Sequence, residues 1–280
     1  MMIQNRKLRK KVGSVAFQVF AILLGLVIAL PIVYAFLISF MPGNQILKRP
    51  PTFIPKKWIL DNYVMAITKT TLGRFMWNSL ILAGVSSIIR VITAALAAFA
   101  FSFFNFRGKN LLFMLFMGTI MIPGDVVLIT NYQTTSQLGL INTYLGMMLV
   151  FLVSATNIFM MRQYFLTFSV SLKEASAVDG CGNLRFFWQI LLPLSTPVMT
   201  TIFISAFIGT WNTYLWPMLV TNDNTMRTVQ VGITMMNFPD GSVYGPIMAA
   251  AILVLLPTLL IFVVFQKKIV GGIMGGAVKG

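Results

Sequence analysis

Side chains that could perform acid–base, nucleophilic or metal chemistry are scarce in this chain. Its 280 residues include no histidine, one cysteine and six acidic residues. A Ser–His–Asp triad needs histidine, and a single thiol can form neither an internal disulfide nor a Cys/His metal cluster. The sequence has no glycine-rich phosphate loop, and the stretch 180–182 lacks the third glycine of a dinucleotide fingerprint. We therefore expect a non-catalytic chain that binds no metal and no cofactor of its own.

Two charged side chains, Arg90 and Asp125, fall within strongly apolar stretches. An unpaired charge near the centre of a bilayer costs about 3 kcal/mol or more. At the rise of a helix, both residues lie about 20 Å from the same expected membrane boundary. The sequence therefore predicts an ion pair between Arg90 and Asp125 across a helical hairpin. The alternative is that Arg90 contacts an anionic solute.

The composition indicates a polytopic membrane protein. Hydrophobic residues make up 58% of the chain and charged residues 10%, with a mean hydropathy of +0.85. A membrane-spanning helix needs about 20 apolar residues, and these stretches lack the alternation of barrel strands. We expect an all-α integral membrane protein with six transmembrane helices, near residues 14–40, 75–103, 111–130, 145–163, 198–219 and 245–265.

The distribution of basic residues predicts the orientation of these spans. The net charge is +15, and lysine and arginine are more numerous on the side that holds both termini. Both termini are therefore expected to be cytoplasmic. The basic residues flank the apolar stretches, which indicates contact with lipid headgroups and not nucleic-acid binding. The expected organisation is a basic N-terminus over 1–13, a membrane domain over 14–265 with an uncleaved first span, and a cytoplasmic tail over 266–280.

A water-compatible segment at 171–193 interrupts the apolar pattern between the fourth and fifth spans. The spacing of Ser171 and Glu174 is that of a capping box, and Gly180 can adopt the left-handed conformation that ends a helix. Asn183 is expected to cap a second, aromatic helix, which Pro193 stops. The resulting cytoplasmic helix-turn-helix is suited to a groove on another protein. The alternative is an amphipathic loop that rests on the headgroups.

The same segment resembles a signature of the permease subunits of binding-protein-dependent ABC importers. That signature is E-A-A-x3-G-x9-I-x-L-P, and the chain keeps its spacing with serine in place of the second alanine. The segments 121–125 and 211–217 and the tail 271–280 are similar to the maltose-type and glycerol-3-phosphate-type carbohydrate branch. The likeness extends from about residue 78 to the last residue.

The resemblance implies a subunit of the cytoplasmic (inner) membrane that forms half of a translocation path. It would import a carbohydrate or related polyol by alternating access, or alternatively glycerol 3-phosphate. The implied partners are a second homologous permease, two ATPases that bind ATP and Mg, an extracytoplasmic solute-binding protein, and membrane lipid. The implied ATPase-coupling residues are Glu174, Ala175, Ser176, Asp179, Gly180, Ile190 and Pro193. The implied tail contacts to the ATPase are Gly275, Gly276 and Lys279.

Polar and aromatic residues near the spans are candidates for a solute path, because aromatic faces stack on sugars and amides bind hydroxyl groups. The candidates are Asn78, Asn131, Gln133, Asn157, Trp211, Asn212, Tyr214 and Trp216. Alternatively, the aromatic residues anchor the membrane interface and the amides join helices. Loops at 50–64 and 221–244 could receive the binding protein. An ion-coupled secondary transporter is a less favoured alternative, because it needs intramembrane carboxylates and only Asp125 qualifies.

Overall fold

The computed structural model describes the backbone of residues 2–48, 50–235 and 244–277, and the side chains of 17–48, 50–169, 171–235 and 244–266. All regular elements in these ranges are helical. The chain divides into two compact units. One comprises Met1–Thr70 with Met236–Leu253, and the other comprises Thr71–Met235 with Val254–Gly280.

The first unit contains α1 (Met2–Ser39), α2 (Gly43–Ile46), α3 (Asp61–Thr68) and the beginning of α15 (Tyr244–Ala277). The buried amide of Asn62 donates hydrogen bonds to the carbonyl oxygens of Ser39 and Met41, each at 2.9 Å. A Cβ at Gly245 would overlap the side chain of Asn62. A small residue at the start of α15 therefore allows close packing against the start of α3.

The second unit is built along one long helix, α4 (Leu72–Phe103). The other helices of this unit are α5 (Lys109–Thr119), α6 (Leu128–Gln137), α7 (Tyr144–Met148), α8 (Ala155–Phe165), α9 (Val170–Val178), α10 (Asn183–Phe186), α11 (Leu192–Leu194), α12 (Thr196–Trp211), α13 (Leu215–Val220) and α14 (Val229–Thr234). A 3-10 turn at Leu149–Phe151 follows α7, and a π-helical turn at Phe187–Leu191 joins α10 to α11.

Two clusters of buried side chains surround α4. The larger lies near its C-terminal end and includes Phe99 and Phe101 of α4, residues of α8 and α12, and the aromatic residues that follow α9. The smaller lies near its N-terminal half, where Leu82 packs with Met147 and Trp216. Because α4 contributes to both clusters, it positions the polar segment after α8 as well as the helices around α7 and α13.

Three helices are long and apolar enough to cross a membrane, at Phe17–Ser39, Leu72–Phe103 and Tyr244–Gln266. Two bent pairs also qualify, with angles of 51° between Tyr144–Phe151 and Ala155–Phe165 and 74° between Asn183–Leu194 and Thr196–Trp211. The described residues thus provide three to five candidate spans. This apolar, all-helical architecture is that of a membrane protein, while the count of six and the orientation remain predictions.

The third predicted span, 111–130, differs most from the structure. Helix α5 ends at Thr119, and α6 begins only at Leu128. Pro123 lies in the connection, where it supplies no N–H and disfavours helical backbone at the residue before it. The predicted fourth and fifth spans are also interrupted, since Ser154 caps a new helix and α12 ends at Trp211. Apolar composition identified these stretches, but it could not locate the breaks within them.

Candidate functional site

The polar segment after α8 begins with α9, which starts earlier than the sequence pattern predicts. Ser169 occupies the N-cap position, without a side-chain capping bond, and the Ser171 hydroxyl donates to the Ser169 hydroxyl at 2.9 Å. Ser171 is thus already helical, and the predicted capping box between Ser171 and Glu174 is not formed. The side chain of Glu174 is exposed to solvent.

Helix α9 ends at the predicted glycine. Gly180 has a φ of +73°, and the N–H of Cys181 donates to the carbonyl of Ser176 at 2.9 Å. The N–H of Gly180 donates to the carbonyl of Ala177 at 3.1 Å. These two bonds form a Schellman motif, in which a left-handed residue lets the chain reverse and satisfies the last carbonyl groups.

The aromatic part of the segment is helical, but its two predicted boundaries differ in the structure. Gly182 precedes α10, so Asn183 is the first helical residue and not its cap. Pro193 lies inside α11 and does not stop the helix. Proline lacks the N–H of a regular helical bond, and the π-helical turn directly before it changes the bonding register. The 74° bend follows at Ser195, whose hydroxyl donates to the Leu191 carbonyl at 2.7 Å.

One face of this segment is anchored to the end of α4. Phe186 and Phe187 are buried, with ring centroids 5.6 Å from Phe103 and 4.9 Å from Phe99, respectively. The Nζ of Lys173 donates to the Phe103 carbonyl at 3.0 Å. Sequence reasoning did not identify Lys173, although the unpaired carbonyl groups at a helix C-terminus attract basic side chains.

The opposite face of the segment is exposed and largely apolar. Val178, Leu184 and Trp188 have exposed fractions of 88%, 73% and 58%. Ala175, Asp179, Gly180 and Pro193 are also exposed. Ser176 instead is buried and donates to the Lys173 carbonyl at 2.7 Å, while Ile190 packs against the larger core cluster. The predicted coupling residues therefore lie on two faces, one free to contact a partner and one fixed to the membrane domain.

Arg90 and Asp125 are not brought together. The Nε of Arg90 donates to the Phe151 carbonyl at 2.6 Å, and its guanidinium lies 5.7 Å from the centre of the Phe151 ring. Asp125 is exposed in the connection between α5 and α6, and no ion pair joins these two side chains in the part of the chain that is described. The prediction assumed a helix that runs through Asp125, but α5 has already ended at Thr119.

Two of the predicted solute-path residues hold structural elements together. The amide of Asn78 donates to the carbonyls of Thr225 and Arg227 at 2.8 and 2.9 Å, and it accepts a 2.6 Å bond from the Tyr144 hydroxyl. The indole Nε1 of Trp216 donates to the Met147 carbonyl at 3.1 Å. These contacts match the alternative role of joining helices.

The other predicted solute-path residues are spread over several elements. Trp211 is buried against the ring of Phe207, and its Nε1 has no hydrogen-bond partner within the described chain. Asn212 is exposed, and its amide oxygen accepts a 3.3 Å bond from Gln230. Asn157 is buried, Asn131 and Tyr214 are half-buried, and Gln133 is exposed.

The loop that follows α13 is held both by bonds to a distant residue, Asn142, and by a bond within the loop itself. The Oδ1 of Asn142 accepts from the N–H groups of Asn222 and Asp223 at 2.6 and 3.1 Å. The backbone N–H of Thr225 donates to the exposed Asp223 carboxylate at 2.8 Å and is the main cause of its lowered pKa. Residues 236–243 of this predicted binding-protein loop lie outside the described residues.

The predicted tail contacts fall at the end of the chain. Gly275 and Gly276 lie within α15. This helix continues to Ala277, well beyond the predicted end of the last span near residue 265. Lys279 lies outside the described residues.

Comparison with known proteins identifies relatives across almost the whole chain. Residues 90–273 match the family described as binding-protein-dependent transport system inner membrane component. The sn-glycerol-3-phosphate transport system permease protein UgpE of Brucella abortus (strain 2308) is 35% identical over 98% of this chain and 99% of its own length. The protein of the same name from Agrobacterium fabrum is also 35% identical, and that from Yersinia pestis is 33% identical, with the same coverage.

A solved structure confirms the likeness in fold. It is a chain of a bacterial ABC transporter involved in the import of the acidic polysaccharide alginate. The TM-score is 0.82 at 23% sequence identity, over 92% of this chain and 96% of the other.

Proposed function

Because the chain belongs to the family of binding-protein-dependent transport system inner membrane components, we propose that it carries a small phosphorylated polyol of the sn-glycerol-3-phosphate type. It is a multi-pass permease subunit of an ABC importer. The observation that carries the choice of solute is the similarity to glycerol-3-phosphate permeases over 98% of this chain. A carbohydrate or polyol without phosphate, the class that the motifs first indicated, is the second candidate.

The environment of Arg90 supports an anionic solute. In the described chain, Nε is the one guanidinium nitrogen of Arg90 that makes a hydrogen bond. The two terminal nitrogens can therefore donate to a phosphate, which an arginine binds in a planar, bidentate geometry. A cation in an apolar stretch without an acidic partner is costly, and this cost favours a functional role for Arg90.

The proposed assembly contains a second homologous permease, two cytoplasmic ATPases and an extracytoplasmic binding protein. The ATPases would bind ATP and Mg, and this chain would catalyse no reaction. Within the assembly, the proposal keeps six spans with both termini in the cytoplasm. These are the three long helices, the two bent helix pairs as one span each, and the interrupted stretch 111–130 as the sixth. The basic residues that flank the apolar stretches support this orientation.

We assign ATPase coupling to the segment that runs from α9 to α11. Its exposed apolar side chains, Val178, Leu184 and Trp188, have the character of anchors that enter a groove on a partner. Its opposite face is fixed by Phe186, Phe187 and Lys173 to the end of α4. Movement of an ATPase would therefore reach α4 and α12 through a packed, hydrogen-bonded connection, and it would shift the permease between inward-open and outward-open states.

Uptake by the complete system in proteoliposomes tests the proposal. Labelled sn-glycerol 3-phosphate should enter only when the partner permease, the ATPase, the binding protein and ATP are all present. Unlabelled sn-glycerol 3-phosphate should compete, whereas maltose and glycerol should not. Uptake by this chain alone would contradict the ATP-driven mechanism, and competition by maltose alone would identify the carbohydrate class instead.

A further inference from the structure

An open cleft of about 420 Å³ lies between the start of α5 and the side of α8. Its lining residues are Asn105, Phe106, Gly108, Lys109, Asn110, Leu111 and Arg162. None of its lining residues is acidic. The cleft is thus a cationic concavity, separate from Arg90 and from the exposed face of the coupling segment.

Arg162 is held at this cleft with unsatisfied hydrogen-bonding capacity. Its guanidinium carbon lies 4.1 Å from the centre of the Phe113 ring of α5. Its Nε is buried and has no hydrogen-bond partner within the described chain, so a ligand in the cleft would not reach that atom. The two terminal guanidinium nitrogens are not enclosed in this way and make no hydrogen bond within the described chain, so they can donate to an acceptor in the cleft.

The backbone at the start of α5 adds further donors. Gly108 is the N-cap of this 11-residue helix with a φ of +80°, and it provides no side chain to cap the first turn. The N–H of Lys109 donates to the Phe106 carbonyl at 3.3 Å, whereas those of Asn110 and Leu111 make no hydrogen bond within the described chain. Such free N–H groups and the helix dipole favour an anion at this end. Lys109 stands at the same place, with its Nζ 2.9 Å from the Phe104 carbonyl.

We propose that this cleft binds a phosphate-bearing anion between Lys109, Arg162 and the first turn of α5. Two cations, free backbone N–H groups and no carboxylate are the donor set that a phosphoryl group requires. Basic pockets between transmembrane helices on the cytoplasmic side bind anionic headgroups. The ligand is the headgroup of an anionic phospholipid or a soluble phosphate, and the headgroup assignment rests on the proposed orientation of the spans.

Native mass spectrometry of the full-length chain in detergent micelles can test this site. The chain is titrated with phosphatidylglycerol, with phosphatidylcholine, and with phosphatidylglycerol in the presence of inorganic phosphate. The variant is Lys109→Gln with Arg162→Gln, and the matched control is Arg107→Gln, which removes an exposed cation of the same loop outside the cleft. Lys109→Gln alone keeps the packing of Arg162 on Phe113, should the double variant fold poorly.

The parent chain and Arg107→Gln should retain phosphatidylglycerol in preference to phosphatidylcholine. The double variant should lose this preference by about thirtyfold and Lys109→Gln by about fivefold, the fold-changes that correspond to about 1 kcal/mol for each cation near an anionic headgroup. Displacement of the lipid by inorganic phosphate, or binding of phosphate alone, would identify a soluble phosphate as the ligand of the same site. Equal retention of phosphatidylglycerol by the parent and both variants would overturn the site. Solute uptake is measured separately, so this outcome leaves the proposed transport function untouched.

Discussion

The ammonium group of Lys173 donates a 3.0 Å hydrogen bond to the carbonyl of Phe103, in the last helical residue of α4. The same ammonium lies 5.2 Å from the centre of the Phe104 ring. One side chain of α9 thus satisfies the end of the central helix and contacts the aromatic cluster. The segment assigned to ATPase coupling is joined to the membrane domain by a specific polar contact as well as by packing.

Replacement of Lys173 by methionine should weaken coupling. Methionine keeps an unbranched side chain that is one atom shorter, but it removes the charged hydrogen bond, which contributes about 1.5 kcal/mol. We expect ATP-driven uptake to fall several-fold while ATP hydrolysis by the assembled transporter persists. The ratio of solute imported to ATP hydrolysed measures this effect, with Lys57→Met, an exposed lysine, as the control. An unchanged ratio would show that the Lys173 bond has no role in coupling.

Substitution of Gly180 by alanine should destabilise the turn after α9. Gly180 has a φ of +73°, where an L-residue with a Cβ costs about 1 kcal/mol. Gly182 is the matched control, because a Cβ at either position meets open space and only Gly180 has a positive φ. Gly180→Ala should lower both the unfolding temperature and uptake, while Gly182→Ala changes neither. Equal melting temperatures in detergent would exclude backbone strain at Gly180.

Two buried tryptophans should respond differently to replacement by phenylalanine. The indole N–H of Trp216 donates to the Met147 carbonyl, whereas that of Trp211 has no partner in the described chain. Trp216→Phe should therefore cost about 1 kcal/mol more than Trp211→Phe, which is the net value of one hydrogen bond. Chemical unfolding of both variants in micelles measures the difference. A larger loss at Trp211 would contradict this order and would indicate that its indole N–H has a polar partner in the folded chain.

Arg90→Gln should raise the KM for sn-glycerol 3-phosphate by about tenfold or more, because a charge-assisted bond to phosphate contributes at least about 1.5 kcal/mol. The KM of Arg90→Lys should lie between those of the parent chain and Arg90→Gln. The control is Arg74→Gln, since the Nε of Arg74 also donates to a backbone carbonyl, that of Thr225 at 3.0 Å, but its side chain is exposed. Should Arg90→Gln lower kcat with the KM unchanged, Arg90 would be a structural residue that supports the Phe151 carbonyl.

Two helical glycines should respond differently to replacement by alanine. A Cβ at Gly146 would overlap the carbonyl oxygen of Leu140, a backbone atom that cannot rotate away. Gly146→Ala should therefore destabilise the chain by about 1–3 kcal/mol. Gly209 lies within α12, and a Cβ added there would meet no other atom within 4 Å. Gly209→Ala should therefore leave the stability of the chain unchanged or raise it by up to about 1 kcal/mol. Thermal unfolding should occur at a lower temperature in Gly146→Ala than in the parent, and at an equal or higher temperature in Gly209→Ala; equal unfolding temperatures of the two variants would contradict the prediction.

Local features of the coupling segment could be predicted from the sequence because they depend on neighbouring residues. The left-handed Gly180 and the aromatic second helix follow from turn chemistry and residue types within a few positions. The start of α9 was displaced because serine stands at both 169 and 171, and the pattern alone does not decide which of them precedes the helix. Pro193 was expected to end a helix, but the π-helical turn before it accommodates the proline.

Long-range contacts could not be predicted in the same way. The Arg90–Asp125 pair was inferred from heights along straight helices, and that inference fails once a helix ends at Thr119. Lys173 meets Phe103 because α9 folds back under α4, 70 residues away along the chain. Asn78 was predicted to line the solute path, but its contacts with Thr225 and Arg227 depend on a loop whose path no sequence period encodes.

The bend at Ser195 determines the direction in which force acts on α12. The axis of Asn183–Leu194 makes an angle of 74° with that of Thr196–Trp211. A force along the axis of Asn183–Leu194 therefore acts mostly perpendicular to the axis of Thr196–Trp211. Such a force would tilt α12 sideways instead of sliding it lengthwise. A small tilt changes the spacing between helices more than it changes the depth of their side chains in the bilayer. The polar groups along α12 would therefore move less relative to the membrane surfaces than in a lengthwise slide.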